Sequence, residues 1–104
     1  MQRGEVWWAE LPKPVGRRPV VILSRNRAIQ IREYITVVEV TRTIRNIPVE
    51  VSLGPEDGLP KRCVANLDVI NTISKKLLKE SVAALSESKI KEIESALKFA
   101  LELP

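Results

Sequence analysis

The spacing of apolar residues changes character near residue 86. Before it, apolar side chains come in short runs or alternate with polar ones, as in β-strands; after it they recur every three or four residues, as on a helix. Glu5 to Leu11 is rich in aromatic and apolar residues and ends at Pro12-Lys13-Pro14, which breaks a ladder and opens a loop. Pro19 to Leu23 is a continuous apolar run, read as a strand buried on both faces with Pro19 first, after a loop that includes Arg17-Arg18. Tyr34 to Val40 is another β-branched segment, and Arg25 to Arg32 before it reads as a loop or short helix. In the next segment Val49, Val51 and Leu53 alternate with Glu50 and Ser52, so one face is buried and the other wet.

Two Gly and two Pro between Gly54 and Pro60 mark an ordered loop. Cys63 to Ile73 offers one or two short strands, Ser74 can cap a helical turn through Lys75 to Leu78, and Ser81 to Leu85 is a further brief strand. Ile90, Ile93, Leu97 and Leu101 then share one helical face, with Ser86 as N-cap and Leu85 and Ile90 at the staple positions. Strands followed by one terminal amphipathic helix predict a small, mostly antiparallel α+β domain, a curled sheet or partial barrel.

The chain has 104 residues, which suits one domain spanning 1–104. Its hydrophobic content of 44% and charged content of 29% are those of a folded soluble protein, while 4% aromatic residues imply an aliphatic core. No apolar stretch approaches the roughly 20 residues of a membrane span, and Met1 to Glu5 lacks a secretory signal's apolar run, so a cytoplasmic protein with no membrane partner is expected. The lone Cys63 cannot pair internally, and without histidine no metal site and no cofactor is expected.

Net charge is +4, and its distribution is uneven. Residues 1–62 carry eleven basic and seven acidic side chains, whereas residues 63–104 carry six of each. All nine arginines fall in the first part. Guanidinium groups meet phosphate oxygens bidentately and stack on bases, so an arginine-rich face suits nucleic acid, although a solvated surface would carry the same charge.

Without histidine, chemistry must come from carboxylates, hydroxyls, the thiol, or arginine and lysine. Arg18 stands where a Pro-rich loop meets a buried strand, with Arg17 as its neighbour; from the residues alone, an ordinary ion pair with Glu10 or Glu39 is the favoured account of either. Thr41-Arg42-Thr43 continues into Ile44-Arg45-Asn46, and two hydroxyls with two guanidiniums can hold a phosphodiester, although threonine also favours strands. Asn66, Asp68 and Asn71 could read base edges or accept a proton, but such residues commonly form turns, the reading favoured for Asn71. Cys63 has no activating neighbour and reads as core. Trp7 and Trp8 point to opposite faces of their strand, one for the core and one for the surface or a subunit contact.

Together, Arg3-Gly4-Glu5-Val6-Trp7-Trp8, Gly16 to Ser24, Val40 to Thr43, Pro48 to Val51, Asp57-Gly58-Leu59, Val64 to Thr72 and Leu85-Ser86 resemble, in order and spacing, the MazF/PemK-type endoribonuclease toxins of type II toxin–antitoxin systems. The resemblance implies an SH3-like β-barrel with helical decoration, a homodimer, metal-independent cleavage of single-stranded RNA at short motifs, and a cognate acidic antitoxin. It places the family's catalytic pair on Arg18 and Thr41 and matches Asp68 to an acidic position of some members; Arg17, Ser24, Arg42, Thr43, Arg45, Arg62 and Asn66 join Asp68 as the candidate RNA contacts. The Pro12 to Arg18 loop is shorter than in many members, and Asn66 stands where some relatives carry an arginine. Two alternatives remain at this point: a non-catalytic nucleic-acid-binding SH3-like module, and a CcdB-type gyrase inhibitor acting through its terminal helix, which here lacks a terminal aromatic anchor.

Overall fold

The computed structural model describes residues 1–104 as β1 (Glu5–Glu10), β2 (Arg17–Ile22), α1 (Asn26–Ile31), β3 (Tyr34–Thr41), β4 (Glu50–Leu53), β5 (Cys63–Ser74), β6 (Leu78–Ala84) and α2 (Glu87–Leu101), with 3-10 turns at Pro55–Asp57 and Lys75–Leu77. The strands form one antiparallel sheet in the order β4-β5-β3-β2-β1-β6, curled into a half barrel. An α+β fold with a terminal helix is what the sequence pattern predicts.

Alternation explains how the sheet divides its side chains. Val21 and Val38 enter one core with Val6, Val40, Leu53 and Leu67, which α2 covers through Ile93 and Ala96. Val20, Ile22 and Val37 enter a second core with Ala9, Ile35, Ile73 and Leu78, closed by Ile29 of α1. The apolar runs of β2 and β3 are therefore continuous because both faces are buried. Each buried aliphatic side chain contributes about 1.5–3 kcal/mol of transfer free energy. The hydroxyl of Ser86 caps α2 by accepting from Lys89 N at 3.2 Å, and Ser74 caps its 3-10 turn by accepting from Lys76 N at 3.2 Å, as the sequence predicts.

Three expectations need correction. Arg17 and Arg18 belong to β2 and not to the preceding loop, because Glu10 and Ala9 of β1 pair with them; Pro19 is then third in the strand, and pairing with β3 starts after it, at Val20. Cys63 to Ser74 is one strand of 12 residues, and β6 starts at Leu78, well before Ser81. Asn71 lies in the ladder opposite Val37; the turn chemistry sits instead at Asn66, whose side-chain oxygen accepts from Asp68 N at 3.0 Å. There β5 bulges: its partners on β3 jump from Val38↔Ile70 to Val40↔Ala65, leaving Glu39 outside that ladder.

The curl brings the β4–β5 loop against β6. Gly58 has φ +92°, and a Cβ there would lie 2.8 Å from the Cβ of Ala83. Leu59 beside it is buried in the α2-side core, which fixes Pro60 and Lys61 over one end of the sheet. Arg62 completes the loop with a two-pronged ion pair to Glu56 at 2.7 and 2.9 Å. Its guanidinium rests on Gly54, where a Cβ would fall 2.5 Å from Cζ.

Gly58→Ala combines a left-handed backbone with a steric conflict, so we expect a loss of about 1–3 kcal/mol in unfolding free energy, measured by urea denaturation. Wild-type stability would mean that the loop does not touch β6 as described.

Candidate active site

At the end of the sheet where β2 begins and β3 ends, the two residues singled out in the sequence meet at one cavity. Val20 pairs with Glu39, Val21 with Val38 and Ile22 with Val37. The same register, continued two residues, sets Arg18 opposite Thr41 on the face shared by Val20 and Glu39. Arg17, Pro19, Val40 and Arg42 occupy the other face. The strand ends and the Leu59–Lys61 rim enclose a cavity of about 460 Å³ lined by side chains from both faces.

Its lining holds four cations, Arg17, Arg18, Arg42 and Lys61, and no carboxylate. Thr41 and Thr43 add hydroxyls, and Trp8, Pro19, Val40, Leu59 and Pro60 form the apolar part. A concave surface with one sign of charge concentrates field, and here it favours an anion. Arg17 lies over Trp8, its Cζ 4.8 Å from the ring centroid, and its Nη2 is 3.2 Å from Glu80 in an exposed pair of little strength. Arg42 and Lys61 have no carboxylate within ion-pair distance. Thr41 Oγ1 accepts from Thr43 N at 3.2 Å, which leaves its own O–H free to donate.

The structure thus brings Arg17, Arg18, Thr41, Arg42 and Thr43 together. The other five sequence candidates lie outside the lining. Ser24 Oγ accepts from Thr36 N at 2.8 Å, Arg45 is on the β3–β4 loop with its backbone N–H on Glu50, and Arg62 is clasped by Glu56. Asn66 and Asp68 form the β5 bulge. Trp8 and Lys61 are lining residues that sequence reasoning did not select. Trp8 is signalled only by its alternation with Trp7, which packs on the second core, and Lys61 only by its place after the Gly/Pro-rich loop.

Carboxylates elsewhere have ordinary explanations. Glu5 is held below its usual range chiefly by the Trp7 indole N–H, which donates to it at 3.0 Å. Glu56 is lowered, and Arg62 raised, by their mutual hydrogen bonds. Cys63 lines the cavity but is buried, and burial pushes its thiol up, opposite to what a nucleophile needs. No group of three His, Cys, Asp or Glu side chains is placed to hold a metal ion, and no helix is long and apolar enough to cross a membrane.

Comparison with known proteins gives consistent matches. Residues 2–101 match the family described as PemK-like, MazF-like toxin of type II toxin-antitoxin system. The chain is 40% identical over 101 residues to a Mycobacterium tuberculosis protein named "Probable endoribonuclease MazF5", covering 96% of this chain and 92% of that one. A solved structure described as an endoribonuclease in complex with its cognate antitoxin from Mycobacterial species superposes with a TM-score of 0.89 at 32% identity, covering 100% of this chain and 97% of the other. The Mycobacterium tuberculosis toxin MazF-mt6 also superposes at 0.89, with 27% identity over 96% of this chain and 98% of its own.

The raised thiol pKa has a direct readout. At pH 8, iodoacetamide should modify Cys63 in the folded protein about 10-fold or more slowly than in the urea-unfolded chain, followed by mass spectrometry. Equal rates would show an accessible, ionising thiol.

Proposed function

The chain belongs to the PemK-like, MazF-like toxins of type II toxin–antitoxin systems, and we propose that this endoribonuclease cuts single-stranded RNA at a centre made by Arg18 and Thr41. The observation that carries the assignment is that Arg18 and Thr41 line one cavity together, with four cations and no carboxylate around it. An anionic diester fits that surface.

The RNA supplies the nucleophile. Its 2′-hydroxyl attacks the adjacent phosphorus and gives up its proton to solvent water; a 2′-O–P bond forms, the P–O5′ bond breaks, the departing O5′ takes a proton from solvent, and the products are a 2′,3′-cyclic phosphate and a 5′-hydroxyl. Charge builds on the non-bridging oxygens in the transition state, so fixed donors there lower the barrier. Arg18 Nη1 donates to Glu39, and the guanidinium's other N–H groups remain for the phosphate. Thr41 donates its free O–H to a second oxygen and orients the group. Arginine stays protonated at any ordinary pH, so Arg18 serves as a donor, including toward the departing O5′, and not as a base. No step uses a metal.

Around this centre, Arg42, Lys61 and Arg17 hold flanking phosphates, Thr43 adds a hydrogen bond, and the Trp8–Arg17 stack offers a surface for a base. Ser24, Arg45, Arg62, Asn66 and Asp68 have no role at the scissile phosphate in this reading. A cognate antitoxin, with an acidic segment complementary to the cavity, is the regulatory partner. In this reading the protein works in the cytoplasm as a homodimer.

Purified protein incubated with a defined transcript in excess EDTA should yield discrete fragments with cyclic-phosphate ends. Arg18→Ala should slow cleavage by about 10²–10³-fold, the usual loss for a transition-state donor, and Thr41→Ala should slow it as well. Near-wild-type cleavage by both variants would sink the assignment, and binding without fragments would make this a nucleic-acid-binding module. Lys61→Ala should weaken RNA binding and reduce the slope of log K against log salt by about 0.7 in magnitude, measured by fluorescence anisotropy.

A further inference from the structure

Glu39 stands in a position that fold stability alone does not favour. It is the one buried charged side chain in the protein, 8% exposed, facing Val20 across the ladder and sharing its strand face with Ile35 and Val37 of the second core. A valine would suit such a site, since burying a carboxylate costs several kcal/mol of hydration that its partner only partly returns. Yet Glu39 has one ligand, Arg18, whose Nη1 lies 3.0 Å from its Oε1. Arg18 is itself one-third exposed and could be solvated without help. The pairing therefore does little that water would not do, except fix where the guanidinium points.

The local backbone gives Glu39 room for this. Opposite it, β5 leaves the ladder between Ala65 and Ile70, so Glu39 sits beside a bulge. Bulges accompany active sites because they re-aim a side chain without dismantling the sheet. Two residues further along β3, on the same face, is Thr41. Arg18, Glu39 and Thr41 thus form one short row: an acceptor buried behind, a guanidinium held in front, and a hydroxyl beside it.

We infer that Glu39 is a positioning residue for cleavage: its buried carboxylate holds Arg18 in one orientation beside Thr41, so that the unused N–H donors meet the scissile phosphate without rearrangement. This deepens the assignment of Arg18 to the reacting phosphate and rests on it. Preorganised donors accelerate a reaction more than mobile ones of equal charge, because no reorientation is needed as charge develops. Glu39 also removes part of Arg18's net charge, so it acts on geometry and not on attraction for RNA.

The test uses the full-length protein and one defined transcript, with kcat and KM measured for wild type, Glu39→Gln, Glu39→Leu, Arg18→Ala and the Glu39→Leu/Arg18→Ala double variant, and Tm for each. Glu39→Leu should lower kcat about 10- to 100-fold, the scale for misplacing a reacting group, with KM within a few-fold and Tm equal to or above wild type. Glu39→Gln keeps the shape and an acceptor and should recover part of kcat. The double variant should be no slower than Arg18→Ala, since Glu39 acts through that residue. If Glu39→Leu unfolds the protein, Glu39→Gln decides: wild-type kcat overturns the inference and reduced kcat at wild-type Tm supports it. Wild-type kcat for Glu39→Leu, a loss confined to KM, or a further loss in the double variant would each overturn the inference while leaving Arg18 in place. If Arg18→Ala alone cleaves at the wild-type rate, the underlying assignment fails instead.

Discussion

The register of β2 against β3 is the constraint on which the site depends. Alternation has a period of two, so a slip of one residue would move Arg18 and Thr41 to opposite faces of the sheet. The apolar residues cannot fix this register by themselves. Val20-Val21-Ile22 and Val37-Val38 are apolar on both faces, and a slipped pairing would still bury valine against valine or isoleucine. The polar residues at the end of the pairing carry the information. In a slipped ladder Glu39 would be buried without Arg18, a state costing about 3–5 kcal/mol for an unpartnered charge. The same ion pair that orients the guanidinium thus also penalises the wrong alignment.

How much of this could be read from the sequence follows from the range of each interaction. Strand alternation at Val49 to Leu53 and the helical spacing from Ile90 to Leu101 are local patterns, and both elements form where they are expected. The capping serines are equally local. The start of β2 departs from expectation because a proline usually opens a strand, whereas here β1 supplies partners for Arg17 and Arg18 and only pairing with β3 waits for Val20. The length of β5 was hidden by Asn66, Asp68 and Asn71: composition marks all three as turn formers, but only the first two make a bulge, and the chain resumes its ladder at Ile70.

The site shows the same division. Arg18 and Thr41 stood out because each lies in a short motif whose order along the chain resembles a known family. Lys61 and Trp8 did not, because they meet the others only after the β4–β5 loop returns across the sheet and Gly58 closes against Ala83. Glu39 was legible only as one possible partner for an arginine. Its burial follows from the curl of the sheet and the β5 bulge, and neither has a signature in a chain read without its fold.

The cations of the cavity differ in how firmly they are held, and the difference matches the tasks assigned to them. Arg18 is anchored from behind by a buried carboxylate, and Arg17 lies on Trp8; Arg42 and Lys61 extend without partners from a strand end and a loop. A long free side chain loses about 1.5–2 kcal/mol of rotamer entropy when a ligand immobilises it, so free cations such as Arg42 and Lys61 suit adaptable phosphate contacts better than transition-state donation in the proposed reading. Their backbone is nonetheless fixed, because β3 and buried Leu59 secure it. In the proposed reading, rigid donors at the centre and flexible cations on a rigid rim let different RNA sequences settle around one unchanging geometry. Under the proposed assignment, specificity comes from what the rim and the Trp8 face accept beside the cleaved bond, and rate from the row formed by Glu39, Arg18 and Thr41.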